Sequence, residues 1–149
     1  MMARRNAHAT CVVIGSRGVM IRGRSGAGKT ALALALLDAC RARTRFARFV
    51  ADDQVWLEVC NGQLIAEAPE TIAGLVEVFG FGPRTTDFEA RAVIDLIVDL
   101  VEPGGAARYQ DENDCLIEGV RVRHLVVPER QVLSSVQIVL SRLDISSSA

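Results

Sequence analysis

Lys29 is the only lysine among the 17 Lys and Arg residues of this chain, and it stands in Gly23-Arg24-Ser25-Gly26-Ala27-Gly28-Lys29-Thr30. That is the pattern G-x-x-x-x-G-K-[ST], the P-loop or Walker A motif, whose glycines let backbone N–H groups converge on phosphate oxygens. A compact ammonium on a flexible stem reaches between the outer phosphates, where a planar guanidinium fork is too broad. Everywhere else the chain uses arginine for positive charge. The Thr30 hydroxyl is of the type that ligates Mg2+ in such loops. The alternative reading is a chance glycine-rich turn, which needs neither the strand before the motif nor the helix after it.

Three further groups have side chains suited to chemistry. Asp52 and Asp53 end the apolar run Phe49-Val50-Ala51. A carboxylate at a strand end can hold magnesium or activate a hydroxyl, and one beside a second carboxylate can have a raised pKa suited to general-base work. Strand alternation sends the two to opposite faces, so at most one is expected to aim at the loop. A solvated turn before Gln54 accounts for the pair equally well. His8, taken alone, reads as an exposed or core-edge histidine. Glu77 lies between Val76 and Val78, where a buried carboxylate needs a partner such as a metal or an arginine.

The elements that must position these groups are mostly strands. Thr10–Ile14 and Val19–Arg22 are β-rich runs joined by Gly15-Ser16-Arg17-Gly18, a hairpin signal. The glycine loop follows at once, and Thr30–Cys40 reads as a helix rich in Ala and Leu. Phe49–Asp52, Gln54–Cys60 and Gln63–Ala66 read as strands, the last two joined by the turn Asn61-Gly62. Pro69 opens a turn or short helical piece before Leu75–Phe79, and Gly80-Phe81-Gly82-Pro83 breaks the chain again. Ala92–Val101 reads as a buried strand or, alternatively, a helix. Glu102–Asp114, with Pro103-Gly104-Gly105, is the expected mobile loop. Leu116–Val127 supplies one or two strands around a Glu118-Gly119 turn. Gln131–Leu143 carries a helical stripe of Val132, Leu133, Val136, Val139, Leu140 and Leu143. A basic tail is expected over about residues 1–7 and a frayed one over 144–149. With only two good helices, the fold class expected is α/β, a P-loop on a mixed, mostly antiparallel sheet rather than a doubly wound one.

At 149 residues, a single domain over 1–149 is expected, with half its residues apolar. A net charge of −1 with interspersed signs argues against nucleic acid as a partner. No apolar core follows Met1-Met2-Ala3-Arg4-Arg5, so no signal peptide is read, and no run is long enough to span a membrane. Cys11, Cys40, Cys60 and Cys115 show no C-x-x-C spacing and read as buried free thiols in a reducing cytoplasm.

In order, His8, the loop at Gly23–Thr30, Val50-Ala51-Asp52-Asp53-Gln54-Val55 and Gly74-Leu75-Val76-Glu77-Val78-Phe79-Gly80-Phe81-Gly82 resemble the catalytic domain of HPr kinase/phosphorylase. The resemblance runs from about His8 to Pro128. It implies a fold related to phosphoenolpyruvate carboxykinase, use of ATP and Mg2+, and transfer of phosphate to a serine of the phosphocarrier protein HPr. It also implies roles for residues. Asp53 would be the base that takes the serine proton, Lys29 would bind phosphate, and His8 would lie close to the reacting phosphoryl group. Thr30 and Glu77 would hold Mg2+, and Arg108 best matches the catalytic arginine. The family's hexamers make a homo-oligomer an expectation.

The chain departs from the pattern in places. Phe79 occupies the position of an arginine in the family's Glu-[Ile/Val]-Arg-Gly-Leu-Gly signature, and Ala31 stands where an acidic residue is frequent. The spacer between Lys29 and Asp53 is longer and carries Arg41, Arg43, Arg45 and Arg48. Glu129-Arg130-Gln131-Val132 does not match the segment tied to the reverse reaction, so forward transfer is expected and phosphorolysis is not. The alternatives are a catalytically weakened ATP-binding regulatory module and a P-loop kinase of another acceptor.

Overall fold

The chain enters its fold at Arg5, inside the stretch expected to be a basic tail. In the computed structural model, which describes residues 3–105 and 113–145, β1 (Arg5–Ala7) pairs antiparallel with β5 (Val55–Cys60), setting Ala7 opposite Val55. Arg4 stacks over the Trp56 ring and reaches Glu67, and Arg5 meets Glu118 at 3.1 Å. Such exposed pairs add little stability. What fixes this segment is its backbone pairing.

The expected hairpin forms from β2 (Ala9–Ile14) and β3 (Arg17–Arg22), with Ile14 opposite Arg17 across a two-residue turn. Helix α1 (Lys29–Ala42) follows, then β4 (Ala47–Ala51) against β2, and β6 (Gln63–Glu67) against β5. A single 3-10 turn, Glu70–Ile72, leads to β7 (Leu75–Val78). Gly80–Pro83 does not simply break the chain, because β8 (Gly82–Thr85) begins within it and pairs with β7 as a small hairpin. The long run is strand β9 (Arg91–Val101), not a helix. Its alternation explains the choice: Leu96, Val98 and Leu100 face the helices, while Ile97 joins a separate core on the opposite face. Strands β10 (Asn113–Ile117) and β11 (Val120–Pro128) form a hairpin, and α2 (Val132–Arg142) closes the chain.

The main sheet runs β1-β5-β6-β9-β3-β2-β4, and β11 joins the other stretch of β9. Only β3 with β9 and β9 with β11 are parallel among the described strands, so the sheet is mixed and mostly antiparallel. Gly18 is required where β3 meets β9, since a Cβ there would lie 2.1 Å from the Val93 carbonyl oxygen. Helices α1 and α2 pack on one face around Leu32, Leu36, Val136 and Leu140. Leu133, counted in the apolar stripe, is exposed. Ile145, in the segment expected to fray, is buried against the helical core, and its N–H donates to Leu140 O. Cys11 and Cys40 are buried thiols as expected, but Cys60 is exposed and Cys115 is half-buried. No described helix is long and apolar enough to cross a membrane.

Strand direction decides where the chemistry collects. Parallel β3, β9 and β11 end at one edge of the sheet, and antiparallel β2 begins there. Strand β4, antiparallel to β2, ends there too, with Cys11 opposite Ala51. That edge therefore receives His8, the glycine loop, Asp52, Glu102 and Glu129.

Beneath the loop, Arg22 donates to both oxygens of Asp99 at 2.7 and 2.8 Å, and His124 Nε2 lies 2.6 Å from Asp99 Oδ2. Burial works to raise the Asp99 carboxyl, but the hydrogen bonds and charges of Arg22 and His124 outweigh it and hold it below the ordinary value. A depressed carboxyl contributes stability that is present above its unfolded pKa and lost as pH falls through its folded one. Asp99→Asn is therefore expected to cost about 1.5–3 kcal/mol at pH 7. The urea midpoints of variant and wild type should converge as pH falls below about 4. A gap that stays constant with pH would contradict this assignment.

Candidate active site

The loop's shape follows from its glycines. Gly26 and Gly28 take φ of 82° and 101°, backbone that side-chain-bearing residues rarely adopt. Gly28 caps α1 with no side-chain hydrogen bond, and no acidic residue stands in the helix's first turn. The first N–H groups of the helix thus remain open to an anion, at the positive end of its dipole. Lys29 is only 5 % exposed, and its ammonium donates to Gly23 O at 3.0 Å and Arg24 O at 3.2 Å.

Asp53 Oδ1 lies 3.6 Å from the Lys29 ammonium and 2.6 Å from His8 Nε2. His8 is the single residue linking β1 to β2, and the Ala7–Val55 pairing sets it beside the aspartate turn. Asp52 turns to the loop as well. Its Oδ1 accepts from Thr30 Oγ1 at 2.7 Å and from Thr10 Oγ1 at 3.1 Å, and its Oδ2 accepts from the Glu77 N–H at 2.8 Å. The expectation that at most one of the two could face the loop is corrected by the backbone. Asp53 has φ of 66°, so the strand's alternation ends at Ala51 and both carboxylates reach loop residues. Thr10, fully buried, completes the turn by accepting from the Asp53 N–H at 3.1 Å.

Glu77 reaches this cluster through its backbone, and its side chain is exposed rather than buried in an apolar run. Phe79, at the turn of the β7–β8 hairpin, is fully exposed. Arg108 lies outside the described residues. Among those residues, no three His, Cys, Asp or Glu side chains converge as donors for a metal. Thr30 and Asp52 instead offer a hydroxyl and a carboxylate side by side. That set suits Mg2+, which takes one or two protein oxygens and completes its shell with water and substrate phosphates.

Two contributors escaped sequence reasoning. Thr10 left a faint signal, a hydroxyl inside an otherwise apolar strand. Glu129 follows β11 and accepts from Arg24 Nε at 3.1 Å and again from its Nη2. Hydrogen bonds from Arg24 hold the Glu129 carboxyl below its usual range against the opposing effect of burial. Nothing in the sequence pairs these two residues, 105 positions apart.

A glycine–lysine loop between strand and helix, on a helix-poor and mostly antiparallel sheet with an aspartate–histidine pair beside the lysine, defines a class of α/β domain distinct from the doubly wound one. The chain matches the family model described as HPr Serine kinase C-terminal domain over residues 1–141, and it belongs to that family. It is 37% identical over 136 residues to the HPr kinase/phosphorylase of Clostridium beijerinckii, covering 83% of this chain and 42% of the relative. To the HPr kinase/phosphorylase of Caldicellulosiruptor bescii it is 34% identical over 135 residues, with the same coverage of 83% and 42%. The chain thus spans about two fifths of these relatives' length. A solved structure, the Hpr(Ser) kinase/phosphatase from Coxiella burnetii, matches at a TM-score of 0.77 and 26% identity, covering 94% of this chain and 97% of that one.

Proposed function

We propose that this chain is an ATP-dependent serine kinase acting on an HPr-like phosphocarrier protein. The observation that carries the reading is the placement of Asp53 Oδ1 between His8 Nε2 and the Lys29 ammonium, at the mouth of the glycine loop. In the transfer, the serine hydroxyl gives its proton to Asp53 as its oxygen bonds to the γ-phosphorus. The bond from that phosphorus to the bridging oxygen breaks, and ADP leaves with the electron pair. Lys29 exchanges its loop carbonyls for phosphate oxygens and neutralises the charge that develops on them. His8 orients the Asp53 carboxylate and stands beside the transferring group. Thr30 and Asp52 would hold Mg2+, with Glu77 the further acidic residue at hand, and the ion would polarise the phosphate oxygens when bound.

Family membership and the names of the relatives support the acceptor assignment. The fully exposed Phe79 favours a second reading, an ATP-binding regulatory module with weakened catalysis, because no guanidinium reaches the site from that position. One experiment separates the two. Protein, Mg-ATP and HPr are incubated, and phosphate is located by mass spectrometry. Phosphoserine on HPr is the expected result. No transfer under conditions where ATP binds would overturn the kinase reading in favour of the module.

A further inference from the structure

Glu129 is 4 % exposed, yet the transfer chemistry gives it no task. Its N–H donates to Val101 O at 2.7 Å, which seats it between the ends of β9 and β11. Its two carboxylate oxygens accept from Arg24 Nε at 3.1 Å and Nη2 at 2.5 Å, a bidentate fork on the second residue of the glycine loop. Arg130 grips the same loop twice, its N–H donating to Ala27 O at 3.2 Å and its Nε to Gly26 O at 3.2 Å. Arg130 does so from a left-handed backbone, φ 60°, a conformation an arginine rarely adopts unless its surroundings impose it.

We propose that the Glu129–Arg130 turn is a clamp on the glycine loop, with Glu129 as a positioning residue that presets the loop for phosphate. Two consequences of the geometry support this. The Arg24 carbonyl is one of the two acceptors that hold the Lys29 ammonium, so fixing the Arg24 side chain also fixes the seat from which Lys29 reaches phosphate. The fork also commits the guanidinium to Glu129, which leaves Lys29 as the loop's own cation for the nucleotide. A buried carboxylate does not readily give up its partner, so the clamp persists when the loop is empty. A loop that is ordered beforehand loses less freedom on binding, and the gain appears in affinity.

The inference rests on the nucleotide reading above, so its test has one arm that needs no nucleotide. Hydrogen exchange of the full chain without nucleotide is expected to quicken about tenfold at residues 26–30 in Glu129→Gln, with the central strands unchanged. ATP affinity, measured calorimetrically with Mg-ATP, should weaken about tenfold, while turnover at saturating ATP stays within about threefold. Because Arg24→Gln alone strands a buried carboxylate, the double variant Arg24→Gln/Glu129→Gln should bind no worse than Arg24→Gln. Glu58→Gln, in a surface pair with Arg91, serves as the control. Should Glu129→Gln be too unstable to purify, Arg24→Lys keeps the charge, loses the fork and is expected to quicken the same loop amides. Exchange that rises across all strands alike, loop exchange within about twofold of wild type, or additive effects in the double variant would each overturn the clamp. Failure of the wild-type protein to bind ATP would instead remove the nucleotide reading and leave the exchange result to decide the clamp.

Discussion

Asp53→Asn is expected to lower the rate of phosphoryl transfer by about 10²–10⁴-fold, the range typical of a lost general base. Asparagine keeps the shape, tolerates the left-handed backbone at φ 66° at least as well as aspartate, and still offers an oxygen to Lys29 and His8. Fold and ATP affinity should therefore change little, within about threefold for binding. What asparagine cannot do is accept the serine proton. The measurement is single-turnover transfer from Mg-ATP to HPr, with binding followed separately by calorimetry. If the variant retains more than about a tenth of wild-type transfer, Asp53 is not the base. If it transfers nothing and the wild type transfers nothing either, while both bind ATP, the regulatory-module reading takes over.

The sequence made the loop legible because its chemistry is local. Glycines, lysine and threonine sit within eight positions, and strand and helix signals flank them. The mostly antiparallel, helix-poor sheet was legible for a similar reason, since short apolar runs and turn residues recur along the chain. Non-local pairings were not. Strand β1 has three residues and no apolar pattern, and it exists only because β5 offers it an edge. Strand β8 contains a proline and a glycine in four residues, and it is a strand only against β7. The Arg24–Glu129 fork depends on three parallel strands ending at one edge, which no window of sequence reveals. Asp53 shows the opposite failure. The alternation rule was sound for a continuing strand, but the strand stops at Ala51 and one left-handed residue returns the second carboxylate to the loop.

That reversal divides the labour between adjacent aspartates, and Asp52→Ala should expose the division. Asp52 is 7 % exposed and ties together three elements, accepting from Thr10 of β2, Thr30 of α1 and the Glu77 N–H of β7. The two threonine hydroxyls can rotate toward other acceptors, but a backbone N–H cannot. Truncation leaves that N–H unpaired beside a small void and frees the β7–β8 hairpin from the loop. The expected loss is about 3 kcal/mol of stability, from charged hydrogen bonds lost and a donor stranded. For a domain of this size that is a fall of roughly 6–12 °C in melting temperature. Transfer should fall as well, because Thr30 loses the carboxylate that orients its hydroxyl. Asp52→Asn separates the two contributions. Its amide can turn its oxygen to the Glu77 N–H and its nitrogen to the threonines, so most of the stability should return. The negative charge does not return, and transfer should stay low. Urea midpoints and single-turnover rates for the two variants decide the matter. A stability loss in Asp52→Ala below about 0.5 kcal/mol, the size of an ordinary surface change, would show that the three contacts do not hold the site together. Recovery of transfer in Asp52→Asn would show that Asp52 acts through its shape and hydrogen bonds alone, leaving Asp53 as the one of the two adjacent aspartates whose negative charge the chemistry needs.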